Sequence, residues 1–254
     1  MGSTQMPRAA LITGAGRRIG RAIALALARA GYSVVLHAHR SRAEAEKLAA
    51  EIVGAGGRAA VVLADLTDAD AVRGLIQVAA AFEPLTLLVN NASQFDEDEI
   101  GSLERGRFER TLAVNLTAPV FLAQAFAAQA PERTDASIVN IVDQRVLKPT
   151  PRFFSYTLSK SALHSATITL AQALAPKLRV NAVAPGPTLA SPRQTDAQFA
   201  AQAAAVPLQR GPTPEDIAAA VLYLATARSV TGTVIAVDGG QHLAWRTADS
   251  DVAE

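Results

Sequence analysis

Short, continuously apolar runs alternate with longer Ala-rich stretches along most of the chain. The short runs are rich in Val, Ile and Leu, which is typical of strands buried on both faces of a parallel sheet. In the longer stretches apolar residues recur at helical spacing, first at Ile19, Ile23 and Leu27, and Gly31 then marks a helix end. The strands are predicted at 9–13, 33–37, 59–64, 85–89, 137–142, 179–183 and 233–237. This alternation predicts an α/β fold with a single domain over 1–254, a Rossmann-type doubly wound sheet of about seven parallel strands flanked by helices.

Most of the stretches outside the strands are predicted to be helical, and residues 187–212 and 247–254 are the two segments predicted to be otherwise. After the first helix, helices are expected at 42–53, 69–82, 103–130, 155–174 and 213–226. Pro119 is expected to kink the longest of them. Residues 187–212 are rich in Pro, Gln and Ala, and an irregular segment of this length is predicted to be a substrate lid. Residues 247–254 are predicted to be a flexible tail.

Composition removes several classes of chemistry. The 254 residues include no Cys, which excludes disulfides, thiolate metal sites, iron–sulfur clusters and Cys nucleophiles, and no metal site is predicted. A formal net charge of +1 gives no reason to expect a nucleic-acid partner. No run reaches the roughly 18 apolar residues that span a bilayer, and residues 1–10 lack the apolar centre of a signal peptide. A cytoplasmic protein without a membrane partner is therefore expected.

The turn after the first strand reads Thr-Gly-Ala-Gly-Arg-Arg-Ile-Gly over residues 13–20 and is predicted to bind a dinucleotide. Glycines let the backbone approach a pyrophosphate, and the N-terminus of the next helix supplies free N–H groups. The strict G-x-G-x-x-G spacing is broken, since Ile19 occupies the place of the third Gly. Glycines also make simple tight turns, but the position between strand and helix favours a cofactor site. The predicted contacts are Gly14, Gly16, Arg17, Arg18, Ile19 and Gly20.

The residues after the second strand favour NADPH over NADH. An NAD site usually has a carboxylate there to accept from the ribose hydroxyl, but here His39, Arg40 and Ser41 follow the strand and the first carboxylate is Glu44. A guanidinium suits the 2′-phosphate of NADP because it donates charge-assisted hydrogen bonds. Arg17 is expected to close on the same phosphate. The alternative is a solvated basic loop.

Tyr156 and Lys160 lie four residues apart in a predicted helix and therefore share one of its faces. A phenol has an unperturbed pKa near 10, too high for efficient acid–base chemistry at neutral pH. The ammonium and a cationic nicotinamide are expected to lower the pKa of Tyr156, so that it donates a proton in a reduction. The alternative is a surface Tyr beside a salt-bridging Lys.

In order and position, these motifs resemble those of the short-chain dehydrogenase/reductase family over nearly the whole chain. Further matches are Asp65-Leu66 after the third strand, Asn90-Asn91-Ala92 after the fourth, Asn115 in the long helix, and Pro185-Gly186 after the sixth strand.

This resemblance implies a role for each matching segment. Asp65-Leu66 would face the adenine ring, Asn90 and residues 91–93 would line the cofactor, and Pro185-Gly186 would lie beside the nicotinamide. Asn115 would hold a water in a proton relay to Lys160. The family also implies a homo-oligomer, for which a homotetramer is expected.

Asp143 is the most informative departure from that family, which usually has Ser about thirteen residues before the Tyr. A Ser hydroxyl donates to a carbonyl oxygen as it becomes an alkoxide, whereas an ionised Asp cannot donate and would repel it. Ketone reduction is therefore disfavoured. Reduction of a C=N bond differs, because the nitrogen needs a proton that a carboxyl group beside Tyr156 could help to deliver.

The pattern is similar to that of the pteridine reductases, a branch of the same family. The matching stretches are Arg17-Arg18, His37-x-His39-Arg40-Ser41, Asn91-Ala92-Ser93-x-Phe95 and Val142-Asp143. By this resemblance Phe95 would stack a pterin against the nicotinamide, Ser93 would bond to the pterin, and Arg18 would contact cofactor phosphate and substrate. The expected substrate contacts are Arg18, Ser93, Phe95, Asp143, Tyr156 and Leu189.

The sequence thus predicts NADPH-dependent reduction of a C=N bond in a dihydropterin or dihydrofolate, with the hydride from the nicotinamide and the proton delivered by Tyr156 with Asp143. Two alternatives stay open. One is a carbonyl or 3-oxoacyl reductase with an unusual relay. The other is a degenerate NADPH-binding sensor or scaffold, which would have no need of Tyr156, Lys160 and Asn115.

Overall fold

A seven-stranded parallel sheet is the centre of the computed structural model, which describes residues 8–130 and 135–245. The strand order is β3-β2-β1-β4-β5-β6-β7. The strands are β1 (Ala9–Ile12), β2 (Ser33–Ala38), β3 (Ala59–Leu63), β4 (Leu85–Asn90), β5 (Ala136–Ile141), β6 (Leu178–Pro185) and β7 (Val234–Val237). The predicted doubly wound architecture is confirmed, and each predicted strand lies within two residues of its observed bounds.

Helices cover both faces of the sheet. They are α1 (Arg18–Arg29), α2 (Arg42–Gly54), α3 (Ala69–Ala80), α4 (Arg105–Leu112), α5 (Ala118–Gln129), α6 (Phe154–Leu174), α7 (Asp196–Ala204) and α8 (Pro214–Thr226). Alternate residues of β1 enter different cores, because side chains alternate across a strand. Ala10 and Ile12 pack with α1, α2 and α8, whereas Ala9 and Leu11 pack with α3 and α5.

The strand order reverses between β1 and β4, and the carboxyl ends of these strands open onto a crevice. In doubly wound sheets ligands bind at such a reversal point. The turn 13–20 follows β1, Asn91 follows β4, and Asp143 lies just beyond β5. The sheet therefore brings together motifs that are far apart in sequence, since Thr13 and Asp143 are separated by 130 positions.

The break in the long helix differs from the prediction. A kink was expected at Pro119, but a π-helical turn at Ala113–Thr117 separates α4 from α5, and Pro119 lies in the first turn of α5. Proline has no N–H, and its ring clashes with the carbonyl four residues earlier, which here belongs to Asn115. The wider π-turn removes that clash, and Asn115 is its one buried residue.

Within the described residues, Arg105–Gln129 is the one helical stretch that by length and composition could cross a membrane. The stretch passes on a mean hydropathy of 1.5 and is not an unbroken apolar run, since Asn115 and Gln124 interrupt it. In the fold the stretch is a core helix, since Leu122, Ala123 and Phe126 are fully buried against the sheet layer.

The segment 187–212 is more regular than predicted. Its centre forms α7, which begins with a capping box between Thr195 and Gln198, a start signal that the sequence contains. The predicted tail at 247–254 lies outside the described residues.

Candidate active site

The first turn is joined to the end of β4 by a compact hydrogen-bond network. Thr13 Oγ1 accepts from the backbone N–H groups of Asn91 (2.9 Å) and Ala92 (3.0 Å). The Asn91 amide donates back to the carbonyls of Thr13 and Gly14. Gly20 is required for this packing, because a Cβ there would lie 2.3 Å from the Gly14 carbonyl oxygen. The glycines of the turn thus serve the fold as well as the expected approach of a phosphate.

His37 supports the same turn from β2. Its Nδ1 accepts from the Gly14 N–H at 3.2 Å, and its Nε2 lies 3.1 Å from the Ala64 carbonyl oxygen. These partners fit a neutral ring with the proton on Nε2. Burial lowers the pKa of His37, because the charged form loses solvation.

The residues expected at the 2′-phosphate lie on the surface beside this turn. Arg17 is 3.8 Å from Glu44, and His39 is 3.5 Å from Asp65. Arg40 is exposed and forms no ion pair with a described residue, and Ser41 lies at the start of α2. Arg40 is therefore available to an incoming anion.

A cavity of about 770 Å³ runs from this turn to α6, the helix that carries Tyr156 and Lys160. It contains much of the predicted site, namely Arg18, Ile19, Asn91, Ser93, Phe95, Asp143, Tyr156, Lys160, Pro185, Gly186 and Leu189. Asp65 and Leu66 do not line it. Leu66 is buried in the core, and the Asp65 carboxylate accepts from the Thr67 N–H and hydroxyl in a local turn.

Tyr156 donates a hydrogen bond to Asp143. The phenolic oxygen lies 2.9 Å from Asp143 Oδ2, and Tyr156 is only 7% exposed. Lys160, one helical turn further along α6, is buried and donates to the Ile141 carbonyl at 2.7 Å. Its Nζ lies 5.8 Å from the centre of the Tyr156 ring.

The electrostatics of this pair differ from the sequence expectation, in which a cation lowers the pKa of Tyr156. Burial raises the pKa of Tyr156 well above its ordinary value, the charge and hydrogen bond of Asp143 raise it further, and Arg145 opposes the rise. Burial lowers the pKa of Lys160 to about 8, with Asp143 acting in the opposite direction. Tyr156 is thus a phenol that keeps its proton and presents it within the cavity.

Asn115 holds the loop that follows β4. Its Oδ1 accepts from the Gln94 N–H (2.8 Å) and from the Ser93 hydroxyl (3.3 Å). Its amide donates to the Gln94 carbonyl and to Ser159 Oγ. The π-turn aims this side chain at the loop, so Asn115 fixes Ser93 relative to α6. The water relay to Lys160 stays a prediction.

An aromatic stack forms one wall of the cavity. Phe95 and Phe153 are parallel, with ring centres 4.3 Å apart, and the edge of Tyr156 meets Phe95 at 4.6 Å. Phe153 has a left-handed backbone, φ 56°, which is unusual for a bulky residue and places its ring beside Phe95.

Arg18 connects the first turn to the segment 187–212. Its guanidinium donates to the carbonyls of Leu189 (3.1 Å) and Ala190 (2.8 Å). Arg18 also has a left-handed backbone, φ 53°, at the position where the family usually has Gly. This contact places one end of the predicted lid over the cavity.

Three residues near the site were not identified from the sequence. Arg145 pairs with Asp143, and Phe153 stacks on Phe95. Asp98 lies in the acidic run 96–99, yet it is buried and accepts from the Ser155 N–H at 3.0 Å and from the Ser155 hydroxyl. Phe153 and Arg145 lie close in sequence to Tyr156 and Asp143, and this proximity was the available signal.

Comparison with known proteins agrees with this geometry. A family model described as Enoyl-(Acyl carrier protein) reductase matches residues 14–242. The crystal structure of FolM alternative dihydrofolate reductase 1 from Brucella canis, complexed with NADP, is 51% identical in sequence, with a TM-score of 0.92 and 97% of each chain covered. Pteridine reductase 1 of Leishmania tarentolae is 36% identical, covering 92% of this chain and 96% of its own. A 3-oxoacyl-[acyl-carrier-protein] reductase of Synechocystis sp. is 33% identical, covering 91% and 95%.

These matches extend over the sheet, the first turn and α6 alike, so they concern the whole fold and not one shared motif. The chain belongs to the short-chain dehydrogenase/reductase family of oxidoreductases.

Proposed function

We propose that the chain is an NADPH-dependent reductase of a C=N bond in a pterin, of the dihydropterin or dihydrofolate type. The observation that carries this proposal is the 2.9 Å hydrogen bond from Tyr156 to Asp143, where the family usually has Ser. A carboxylate so placed can accept from N–H and amino groups of a heterocycle but offers no hydroxyl to a ketone oxygen. The nitrogen of a C=N bond takes its proton from Tyr156 instead.

The described residues fit the proposed cofactor. The cavity is continuous from Arg18 and Ile19 to Pro185-Gly186 and Lys160, which suits an extended dinucleotide. Arg40 supplies an available cation for a 2′-phosphate, and the B. canis relative was crystallised with NADP. NADPH, when bound, would supply the hydride for the carbon of the C=N bond.

The chain's own residues would then complete the reduction. As the carbon gains hydride, the electron pair of the double bond passes to nitrogen, which takes the Tyr156 proton. Lys160, 5.8 Å from that ring, is a buried cation that stabilises the phenolate left behind. The stacked rings of Phe95 and Phe153 offer a planar apolar wall for the pterin, and Ser93, Arg18 and Leu189 line the same cavity.

Assembly and location are part of the proposal. We expect a homotetramer, and the exposed apolar side chains of Phe121 on α5 and Ile168 on α6 support an interface on these helices. We expect the protein to act in the cytoplasm, where NADPH is available, with 187–212 as the substrate lid.

A second candidate is a carbonyl or 3-oxoacyl reductase, which the similarity to the Synechocystis protein favours. A third is an NADPH-binding sensor without turnover. Against the sensor, Tyr156 and Lys160 are both buried beside the cavity, and burial lowers the pKa of Lys160 to about 8, a pattern that is enriched at catalytic sites.

One assay separates the three candidates. NADPH oxidation is followed with a dihydropterin, with dihydrofolate and with a panel of ketones, for the wild type and for Tyr156→Phe. The proposal expects pterin turnover that the variant loses by roughly a hundredfold or more. Turnover of ketones but not of pterins would reject the proposal, and NADPH binding without any turnover would favour the sensor.

A further inference from the structure

Proton donation by Tyr156 creates an electrostatic problem at Asp143. The two oxygens are 2.9 Å apart, Tyr156 is 7% exposed, and the Asp143 side chain is 16% exposed. When Tyr156 gives up its proton, a phenolate would face a carboxylate at this distance. Two like charges so close oppose each other strongly, so the step needs a cation that acts on Asp143 itself.

Lys160 acts on Asp143 only at a distance. The charge of Asp143 opposes the fall in the pKa of Lys160, but Nζ of Lys160 donates to the Ile141 carbonyl, and no hydrogen bond joins it to Asp143 among the described residues. Arg145 contacts Asp143 directly. Its backbone N–H donates to Asp143 Oδ1 at 2.9 Å, and its Nη1 lies 3.4 Å from Oδ1 and 3.3 Å from Oδ2.

The Arg145 guanidinium is held by Asp143 and by the aromatic wall together. Its central carbon lies 5.4 Å from the centre of the Phe95 ring and 5.3 Å from that of Phe153, which is within the range of a cation–π contact. The rings are neutral, so among these neighbours Asp143 is the one whose full charge the guanidinium offsets.

Resting on the proposed function, we infer that Arg145 is a positioning residue for the reduction. It fixes the Asp143 carboxylate toward Tyr156 and offsets its negative charge while the proton leaves. Both partners are shielded from solvent, with side-chain exposures of 18% for Arg145 and 16% for Asp143, so the pairing is little screened. Burial and Asp143 raise the pKa of Tyr156, and Arg145 acts in the opposite direction.

The test is a double-mutant cycle that joins Arg145→Met with Asp143→Asn. Arg145→Met should lower kcat at least tenfold and leave the KM for NADPH unchanged, since Arg145 does not lie at the first turn. Arg145→Lys should recover part of the loss, because it restores a cation. With Asp143→Asn present, Arg145→Met should change kcat less than threefold, since no carboxylate charge is left to offset.

Arg152→Met is the matched control, because it removes an exposed guanidinium at the rim of the same cavity that forms no side-chain bond to a described residue. Its loss in kcat should be the same in both Asp143 backgrounds. Thermal unfolding and NADPH binding establish that each variant is folded. An equal loss from Arg145→Met in both backgrounds, or no loss in the wild-type background, would overturn the inference.

The cycle also distinguishes this inference from the proposed function. A wild type that reduces ketones but not pterins refutes the pterin proposal alone, and the cycle is then run on the ketone, because Tyr156 must donate a proton in that reaction too. A wild type without turnover on either class overturns both.

Discussion

Asp98 provides a stringent test of how the site is built. The residue joins the loop that carries Phe95 to the N-terminus of α6. Its carboxylate accepts from the Ser155 N–H at 3.0 Å and from the Ser155 hydroxyl, and its carbonyl accepts from the Phe154 N–H at 3.1 Å. Phe153, the residue before the helix, offers no side-chain cap, so Asp98 caps α6 from a distant part of the chain.

Asp98→Ala removes both side-chain bonds and leaves two donors of Ser155 unpaired in a buried place. A hydrogen bond to a charged group contributes roughly 1.5–3 kcal/mol, and the second bond adds less because the two share one carboxylate. We therefore expect the free energy of unfolding to fall by about 3 kcal/mol, which for a chain of this size lowers Tm by roughly 6–12 °C. Asp98→Asn keeps one acceptor and should lose about 1 kcal/mol.

Chemical denaturation and calorimetry measure the stability loss, and steady-state kinetics measure its effect on the site. A loosened Phe95 should raise the KM for the pterin more than it lowers kcat. Glu99→Ala, in the same acidic run but exposed, is the control and should change stability by less than about 0.5 kcal/mol. If Asp98→Ala is as stable as Glu99→Ala, then Asp98 does not cap α6 and the reasoning fails.

Three further predictions concern the cofactor turn and the buried lysine. Arg40→Ala should weaken NADPH binding about ten- to a hundredfold and leave NADH binding unchanged, as isothermal titration would show; equal losses for both cofactors would contradict the 2′-phosphate assignment. Burial lowers the pKa of His37 in the folded chain below its ordinary value of 6.5, so below pH 6.5 the unfolded chain binds more protons than the folded one. The free energy of unfolding should therefore fall as the pH drops below 6.5, and it should fall less in His37→Gln. Burial likewise lowers the pKa of Lys160 to about 8, so the unfolding free energy should rise between pH 8 and 10.5 in the wild type but not in Lys160→Met; parallel pH curves would refute this.

Local patterns predicted the fold well because most strands are largely buried and most helices bury one side against the sheet. Helix α7, none of whose residues is buried, was not predicted. The helix end marked by Gly31 and the helix predicted at 213–226 rest on local signals and agree with α1 and α8. The π-turn was not predicted, since its cause is the relation between Pro119 and the Asn115 carbonyl within a packed helix. Periodicity alone cannot distinguish a kink from a widened turn.

The site was predictable where its chemistry follows a fixed spacing. Tyr156 and Lys160 share a helix face by geometry, and the 13-residue separation of Asp143 from Tyr156 marked its importance. The predicted direction of the Tyr156 pKa shift was wrong. The sequence does not reveal that Asp143, and not Lys160, contacts the Tyr156 hydroxyl. Asp98 was missed for the same reason, since its partner Ser155 is 57 residues away.

The central claim is that Asp143 directs the site from C=O toward C=N reduction. It is tested most directly by the ratio of kcat/KM for a dihydropterin to kcat/KM for a ketone, measured in the wild type and in Asp143→Ser. The account predicts a wild type that favours the pterin and a variant whose ratio falls at least about a hundredfold, because a hydroxyl replaces the carboxylate that accepts from the heterocycle. A wild type that favours the ketone, or a ratio that Asp143→Ser leaves unchanged, would contradict it.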